Sequence, residues 1–537
     1  MTTVVPDPSR RIVPRWRFLR DRNKAPESAG DPRATKPAEI DPSYVDQKVR
    51  DWVFDPCLAT AAELVAGAAV CGTQDLAREA ASFILERADQ TLPATAAAAH
   101  RCLGTTPTRP PRQEVGFPGE LDRQSEATAR EAVGRSKRRL AADARNLEAW
   151  LDMSRAYAML GQQRHSDSSM AKALIVAPNH RVALRAAARL AIHKGKPDEA
   201  AALLSRHPRT RADPWLLATE IAAQTIVGRT SNLTRFARPM IEDARFPASQ
   251  LTELHSALAT VDFFSGSLRG ARKHIRQSLM DPNDNAVAQA RWFSARMSGV
   301  TIAPAAFELA TSYEARCWRA LNEKEWTLSL DEAVHWLLDE PFSSRAAVHA
   351  SFVAVSLNED YRLGVACAKI GLQADPRHPV LLNNLAVAQA YLGDISTAQT
   401  TLNLVSTDFT DEHPEYIRVA TTGLVRFRSG DIGAGRMYYE QAVDLAPPER
   451  KWLVVAHWIK EELESGGLTT EQVVSSCNKL SKVAKDALSL RLVELVKARA
   501  EAKAQIGVDQ PRTLTTLTTD SLPRGMQVYI PDLKSHR

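Results

Sequence analysis

The sequence predicts an all-α chain built from stacked helix–turn–helix units, and three observations carry that prediction. First, residues 345–447 read as three copies of one unit. In the middle copy Leu382-Asn383-Asn384-Leu385-Ala386 opens a helix, Tyr391-Leu392-Gly393-Asp394 turns the chain, and Ala398 and Leu402 face back inward. The copy after it has Val419 and Gly423 on its first helix, the turn Ser429-Gly430-Asp431, and Gly435, Tyr439 and Ala442 on its second. The copy before it carries Val348, Phe352, Tyr361, Gly364 and Ala368 and closes on Ala374-Asp375-Pro376. Second, the layout recurs far upstream. Trp150, Met153, Tyr157, Gly161, Met170 and Ala173 lead to Ala177-Pro178, and Gly161 and Pro178 are 17 residues apart, as are Gly430 and Pro447. Third, apolar residues recur with the 3.6-residue helical period through most of the remaining chain.

Taken in order, residues 1–43 are rich in Pro, Arg and Asp without helical period, the composition of a disordered basic arm. Within it Arg10 to Arg20 interleaves cations with large apolar side chains, which a solvated tail rarely does. Arg15, Trp16, Arg17 and Phe18 are the candidate docking motif, for a partner or for a phosphate surface, with an inert basic tail as the other reading. Residues 44–103 read as one degenerate helical hairpin, with Leu58, Ala62, Val65 and Ala69 on one face, a break at Gly72, and a second helix through Leu76, Phe83 and Ile84. A Pro-rich linker follows over 104–122. The array occupies 123–282. It opens with a basic helix from about Ser125 to Ala144 bearing Arg130, Lys137, Arg138 and Arg139, and continues in units that turn at Gly161, Gly195 and Gly266, with another starting at Trp215.

Over 283–344 the register loosens, with helices expected over 305–321 and 328–338 and with Trp292, Trp318, Trp326 and Trp336 filling wider gaps. After the three well-formed copies (345–449), residues 450–506 read as capping helices whose charged face ends the stack. Residues 507–537 form a Thr-rich tail expected to be disordered. Gly393, Gly423 and Ala386 are read as points where helices approach too closely for larger side chains.

Composition excludes several classes. Of 537 residues 44% are hydrophobic, enough for a folded core, and a net charge of +6 is mild for a nucleic-acid binder. The six cysteines are scattered with no Cys-x-x-Cys pair, which points to free thiols in a reducing cytoplasm and to no zinc site. No apolar run approaches the roughly 18 residues of a membrane span. Neither a phosphate loop, a His-Glu-x-x-His nor a Gly-x-Ser-x-Gly elbow occurs, and no cofactor or metal is expected. The Ala- and Arg-rich composition suggests a bacterial source of high GC content.

The repeated unit resembles the tetratricopeptide family, whose helix–turn–helix of about 34 residues places small residues at the helix crossings. The resemblance implies a right-handed superhelical α-solenoid, a protein-binding scaffold whose first helices line a concave groove. At matching positions stand Arg155, Arg185, Arg189 and His193 in the first strong repeats. His349, Asn383, Asn384, Tyr391, Thr421, Phe427 and Arg428 match in the last three. Asn384 falls where the family uses an asparagine for a ligand's backbone. The paired lysines of the family's chaperone-tail type are missing, so a chaperone C-terminus is a poor match. Arg155 and Arg189 are 34 residues apart and Arg185 and His193 lie one turn either side of Arg189, so four basic-capable groups are expected to share one inner surface and favour a polar to acidic partner segment.

Three functional readings follow. The first is a non-catalytic cytoplasmic scaffold gripping a protein or peptide in its groove. In the second, an RNA- or DNA-associated adaptor uses the basic arm and basic helix, with the steep salt dependence of phosphate binding. The third is a helical ribonuclease built on Arg450 and His457, a spacing that chance readily supplies in a chain with 13 histidines.

Overall fold

A computed structural model describes residues 13–17, 42–71, 73–87, 93–105, 120–243, 246–407, 409, 414–484 and 486–505; among these every regular element is a helix and none is a strand. The chain is an α-solenoid of antiparallel hairpins. Leu147–Met159 pairs with Gln163–Val176, Arg181–His193 with Pro197–Arg206, and Ala248–Phe264 with Leu268–Ser278. Further on, Pro379–Tyr391 pairs with Ile395–Asn403 and Glu415–Arg428 with Ile432–Leu445.

The turn chemistry explains why these hairpins are so regular. Gly161, Gly195, Gly228, Gly266, Gly393 and Gly430 all sit at φ between 67° and 89°, a region that residues with a Cβ enter only at a cost. The amide after the glycine then bonds back to the carbonyl five residues upstream, Gln162 to Tyr157 at 2.9 Å and Asp431 to Arg426 at 3.0 Å, closing the helix end. Gly423 and Ala386 are tight crossings: a Cβ on Gly423 would stand 2.9 Å from Tyr439, and Ala386 is fully buried. Gly393 is different. A Cβ there meets open space, so the glycine answers to its φ of 85° and not to crowding.

The loosened stretch has two physical causes. After Asp284–Ser294 and the turn at Gly299, the returning helix shrinks to Pro304–Phe307. The next two turns use Lys324 (φ 61°) and Glu359 (φ 54°) where other units use glycine. The single helix expected over 305–321 is broken, resuming as Tyr313–Asn322, because Arg316 donates to the freed carbonyls of Phe307 (3.0 Å) and Leu309 (2.9 Å). Its partner runs Trp326–Asp339, where Trp336 is buried. Ser344–Phe352 then passes through a π-helical turn, Val353–Leu357, before Tyr361–Ala374 returns.

At the N-terminal side, the expected hairpin over 44–103 is a four-helix unit with its own core of Val45, Trp52, Leu64, Ile84 and Cys102. Pro56 ends the first helix, Pro42–Phe54, and Pro93 starts the fourth, Pro93–Leu103, at the position where a missing amide hydrogen costs nothing. The basic helix spans Leu121–Ala142. At the far end Lys451–Ser465 stops at Gly466, and Thr470–Val483 and Ala487–Gln505 are two helices, the first opened by a reciprocal Thr469–Gln472 cap.

One long-range feature positions the site. The array curls until its start meets its middle: the helices Leu121–Ala142 and Leu147–Met159 touch Tyr361–Ala374. Leu121 shares a core with Phe352 and Ile370, and Phe342 and Ala374 share one with Leu151, Met159 and Leu190. Gly161 lies directly under the Gln373 carbonyl, where a Cβ would collide. Residues 121–374 therefore make one closed turn, and the remaining hairpins continue from it.

Candidate functional site

The interior of this turn holds a piece of the chain's own N-terminal arm. Residues 1–12 and 18–41, with Phe18 among them, lie outside the described residues, but residues 13–17 run without regular secondary structure through the inside of the turn. Pro14 keeps Val13 out of helical geometry. Arg15 and Arg17 both reach Asp284, so they point to the same wall.

That wall is acidic. Asp284 opens the helix Asp284–Ser294, Glu314 lies in the first turn of Tyr313–Asn322, and Asp339 and Glu340 end Trp326–Asp339. Arg15 pairs with Glu340 (2.5 Å), Glu314 (2.6 Å) and Asp284 (3.3 Å). Arg17 grips Asp339 through Nε (2.8 Å) and Nη2 (2.6 Å) and reaches Asp284 at 2.7 Å. Asp339 and Glu340 stand at the negative end of a helix dipole, where carboxylates are least welcome and a cation most helpful. Burial pushes the Glu340 carboxyl up, but Arg15, Arg189 and Arg17 together outweigh it and hold it at about 2. Burial likewise works against the Arg15 charge, and Glu340, Glu314 and Asp284 more than offset it. An ion cluster this dry is stable only when complete, because removing one member leaves a buried charge unpaired.

Between the two arginines, Trp16 is 1% exposed and packs edge-on against Phe342, ring centroids 5.4 Å apart. The main chain is held as well. Arg155 donates through Nε to the Trp16 carbonyl (2.6 Å) and through Nη2 to the Asp339 carbonyl (2.9 Å), and Asn285 donates to the Val13 carbonyl (2.8 Å).

The groove residues expected from the sequence are dispersed. Arg155 touches the arm. Arg189 lies 4.9 Å over the Phe342 ring, and His193 meets the same ring edge-on at 5.6 Å. Burial, then Arg189 and Lys194, lower the His193 imidazole to about 4. Arg185 sits away from the arm, paired with Glu253 (2.6 Å) and stacked on Trp215. The expected crowd of unmatched cations facing an acidic ligand is thus not what forms. Arg155 and Arg185 bond to carbonyls and a carboxylate, and the segment received inside the turn is itself cationic.

In the last repeats the matched positions serve packing between units. His349 is buried against Trp318 and Cys317, and burial lowers it to about 4. Asn384, matched to a ligand-binding position, donates to Ser351 (3.0 Å), while Asn383 is buried. Tyr391 stacks on Tyr361 at 4.6 Å beneath Lys460. Thr421 bonds its own helix at the Ile417 carbonyl, and Phe427 fills the space left by Gly435. Arg428 makes a two-pronged pair with Glu461 (2.6 and 3.0 Å). The residues that sequence reasoning missed are Asp284, Asn285, Glu314, Asp339, Glu340 and Phe342. All lie in the stretch whose register was unreadable, and the signal available was the arm itself, whose arginines require carboxylates once Trp16 is buried.

No helix among the described residues is long and apolar enough to cross a membrane. No family model matches the sequence, and no curated protein matches it. Among solved structures, the crystal structure of the yeast Tom70 is similar at 10% identity and a TM-score of 0.28, over 84% of this chain and 97% of that one.

Proposed function

We propose that this chain is a non-catalytic protein-interaction scaffold, of the tetratricopeptide type its repeat spacing resembles, that takes an arginine–aromatic–arginine segment into its closed turn. The observation that carries this is residues 13–17, held through two guanidinium groups, one indole and two main-chain carbonyls. Nothing in that grip depends on covalent continuity with the solenoid. The partner segment is therefore basic and aromatic, the reverse of the acidic one expected from the groove arginines, and the cis arm occupies the site at the high effective concentration of a tether.

The test uses a labelled peptide of residues 10–20. A chain carrying Arg15→Ala, Trp16→Ala and Arg17→Ala should bind it at least tenfold more tightly than the wild type, whose own arm competes. Adding Asp284→Asn and Asp339→Asn should abolish the gain. Equal binding by wild type and triple variant would overturn the reading.

The alternatives find less support. Arg15 and Arg17 are spent on carboxylates, and on the basic helix Arg130 pairs with Glu126, Arg135 with Glu131 and Arg139 with Glu148, which partly neutralises that face for phosphates. His457 is lowered to about 3 by burial and by Lys460, with Glu359 opposing, so it is neutral near pH 7 and answers to those two charges and not to Arg450.

A further inference from the structure

Beside the docked arm the closed turn leaves a cavity of about 140 Å³, lined among others by Val13, Arg189, His193, Ser343, Ser344 and Arg345. Five guanidinium groups (Arg15, Arg17, Arg155, Arg189 and Arg345) gather with four carboxylates (Asp284, Glu314, Asp339 and Glu340). Each carboxylate is engaged by Arg15, Arg17 or Arg345, and Arg155 is spent on two carbonyls. Arg189 is left over. It is nine-tenths buried, rests on the Phe342 ring, and has no hydrogen-bond or ion-pair partner among the described residues. Glu340, the acid that lines the cavity with it, is bonded to Arg15 and to the Trp336 indole.

A second feature faces the same space. The helix Ser344–Phe352 begins at the cavity, and Ser343 before it makes no side-chain bond to the helix amides. The first amides of a helix have no intrahelical acceptor and sit at the positive end of its dipole. Arg345 adds a buried Nε without a partner.

From these features we infer that the cavity is a binding site for a single carboxylate group, held by the Arg189 guanidinium and the N-terminus of the Ser344–Phe352 helix. A guanidinium fork and converging amides are the donors that bind oxyanions. The single charge of Arg189 suits a monoanion better than a phosphate dianion. The carboxylate comes from a small free acid or from an acidic side chain just ahead of Val13, where the sequence places Asp7.

The test is thermal unfolding of the full chain in acetate, inorganic phosphate and chloride at one ionic strength. Acetate should raise the Tm of the wild type saturably, and more than phosphate does. Arg189→Met, which keeps an apolar stem on Phe342, should lose that response. The exposed Arg238→Met should respond as the wild type does. An acetate response seen only in Asp7→Asn would identify the cis side chain as occupant and leave the site standing. The inference is overturned by an acetate response that survives Arg189→Met, by a response to phosphate alone, or by none in either the wild type or Asp7→Asn.

Discussion

Replacing Trp16 by Ala isolates what holds the arm inside the turn. Trp16 is 1% exposed; an indole buries on the order of 200 Å², and at roughly 25 cal/mol per Å² that is about 5 kcal/mol. Truncations of buried Trp cost about 3–5 kcal/mol. The flanking ion pairs contribute less net, because attraction in a dry site is set against desolvation of every charge. The indole therefore decides, and a loss of about 3–5 kcal/mol raises the undocked fraction by about 10² to 10³·⁵. Trypsin reads that fraction, since Arg17 is buried in the docked state and cleavage tracks the open population when opening and closing are fast. Cleavage after Arg17, followed by mass spectrometry, should accelerate by at least a hundredfold in the variant while cleavage at the exposed Arg229 stays constant. A change below about threefold would refute the claim that Trp16 burial holds the segment.

Three further outcomes follow from the structure. Glu340 is held at about 2 in the folded chain against 4.5 for the free group, so its contribution is present above pH 4.5 and lost as pH falls towards 2; protection of Arg17 should decline over that window, read with an acid-active protease. His193, His255 and His349, each lowered to about 4 from 6.5 mainly by burial, favour the folded state above pH 6.5 and lose that contribution as pH falls to 4. The Tm should therefore decline from pH 6.5 to 4, and less so in His349→Gln. Gly161→Ala should cost more than Gly195→Ala. Both positions have φ near 70° and share a penalty of about 1–2 kcal/mol. Only at Gly161 does the new Cβ strike the Gln373 carbonyl, adding about 1–3 kcal/mol of overpacking; equal Tm values would argue against the seam that closes the turn.

The local elements were legible because their causes are local. A left-handed turn at Gly161, Gly195, Gly393 or Gly430 is demanded by the residue itself, and the 3.6-residue apolar period needs only its own helix. Where those signals lapse, at Lys324, at Glu359 and in the four-residue helix Pro304–Phe307, the reading lapsed with them. The arm's mixture of cations and large apolar side chains was also visible, and it made Arg15, Trp16, Arg17 and Phe18 a docking candidate beside the reading as an inert tail.

What the tertiary structure alone decided is where that motif goes and which charge meets it. The curl of the array is the sum of small rotations at each hairpin contact. Those rotations bring Asp284, Glu314, Asp339 and Glu340, spread over 56 positions on three elements, to one point opposite Arg155 and Phe342. The sign of a groove is a sum over residues distant in sequence. Arginines at matching repeat positions read as a cationic surface until folding assigns Arg155 to carbonyls, Arg185 to Glu253 and Arg189 to a ring.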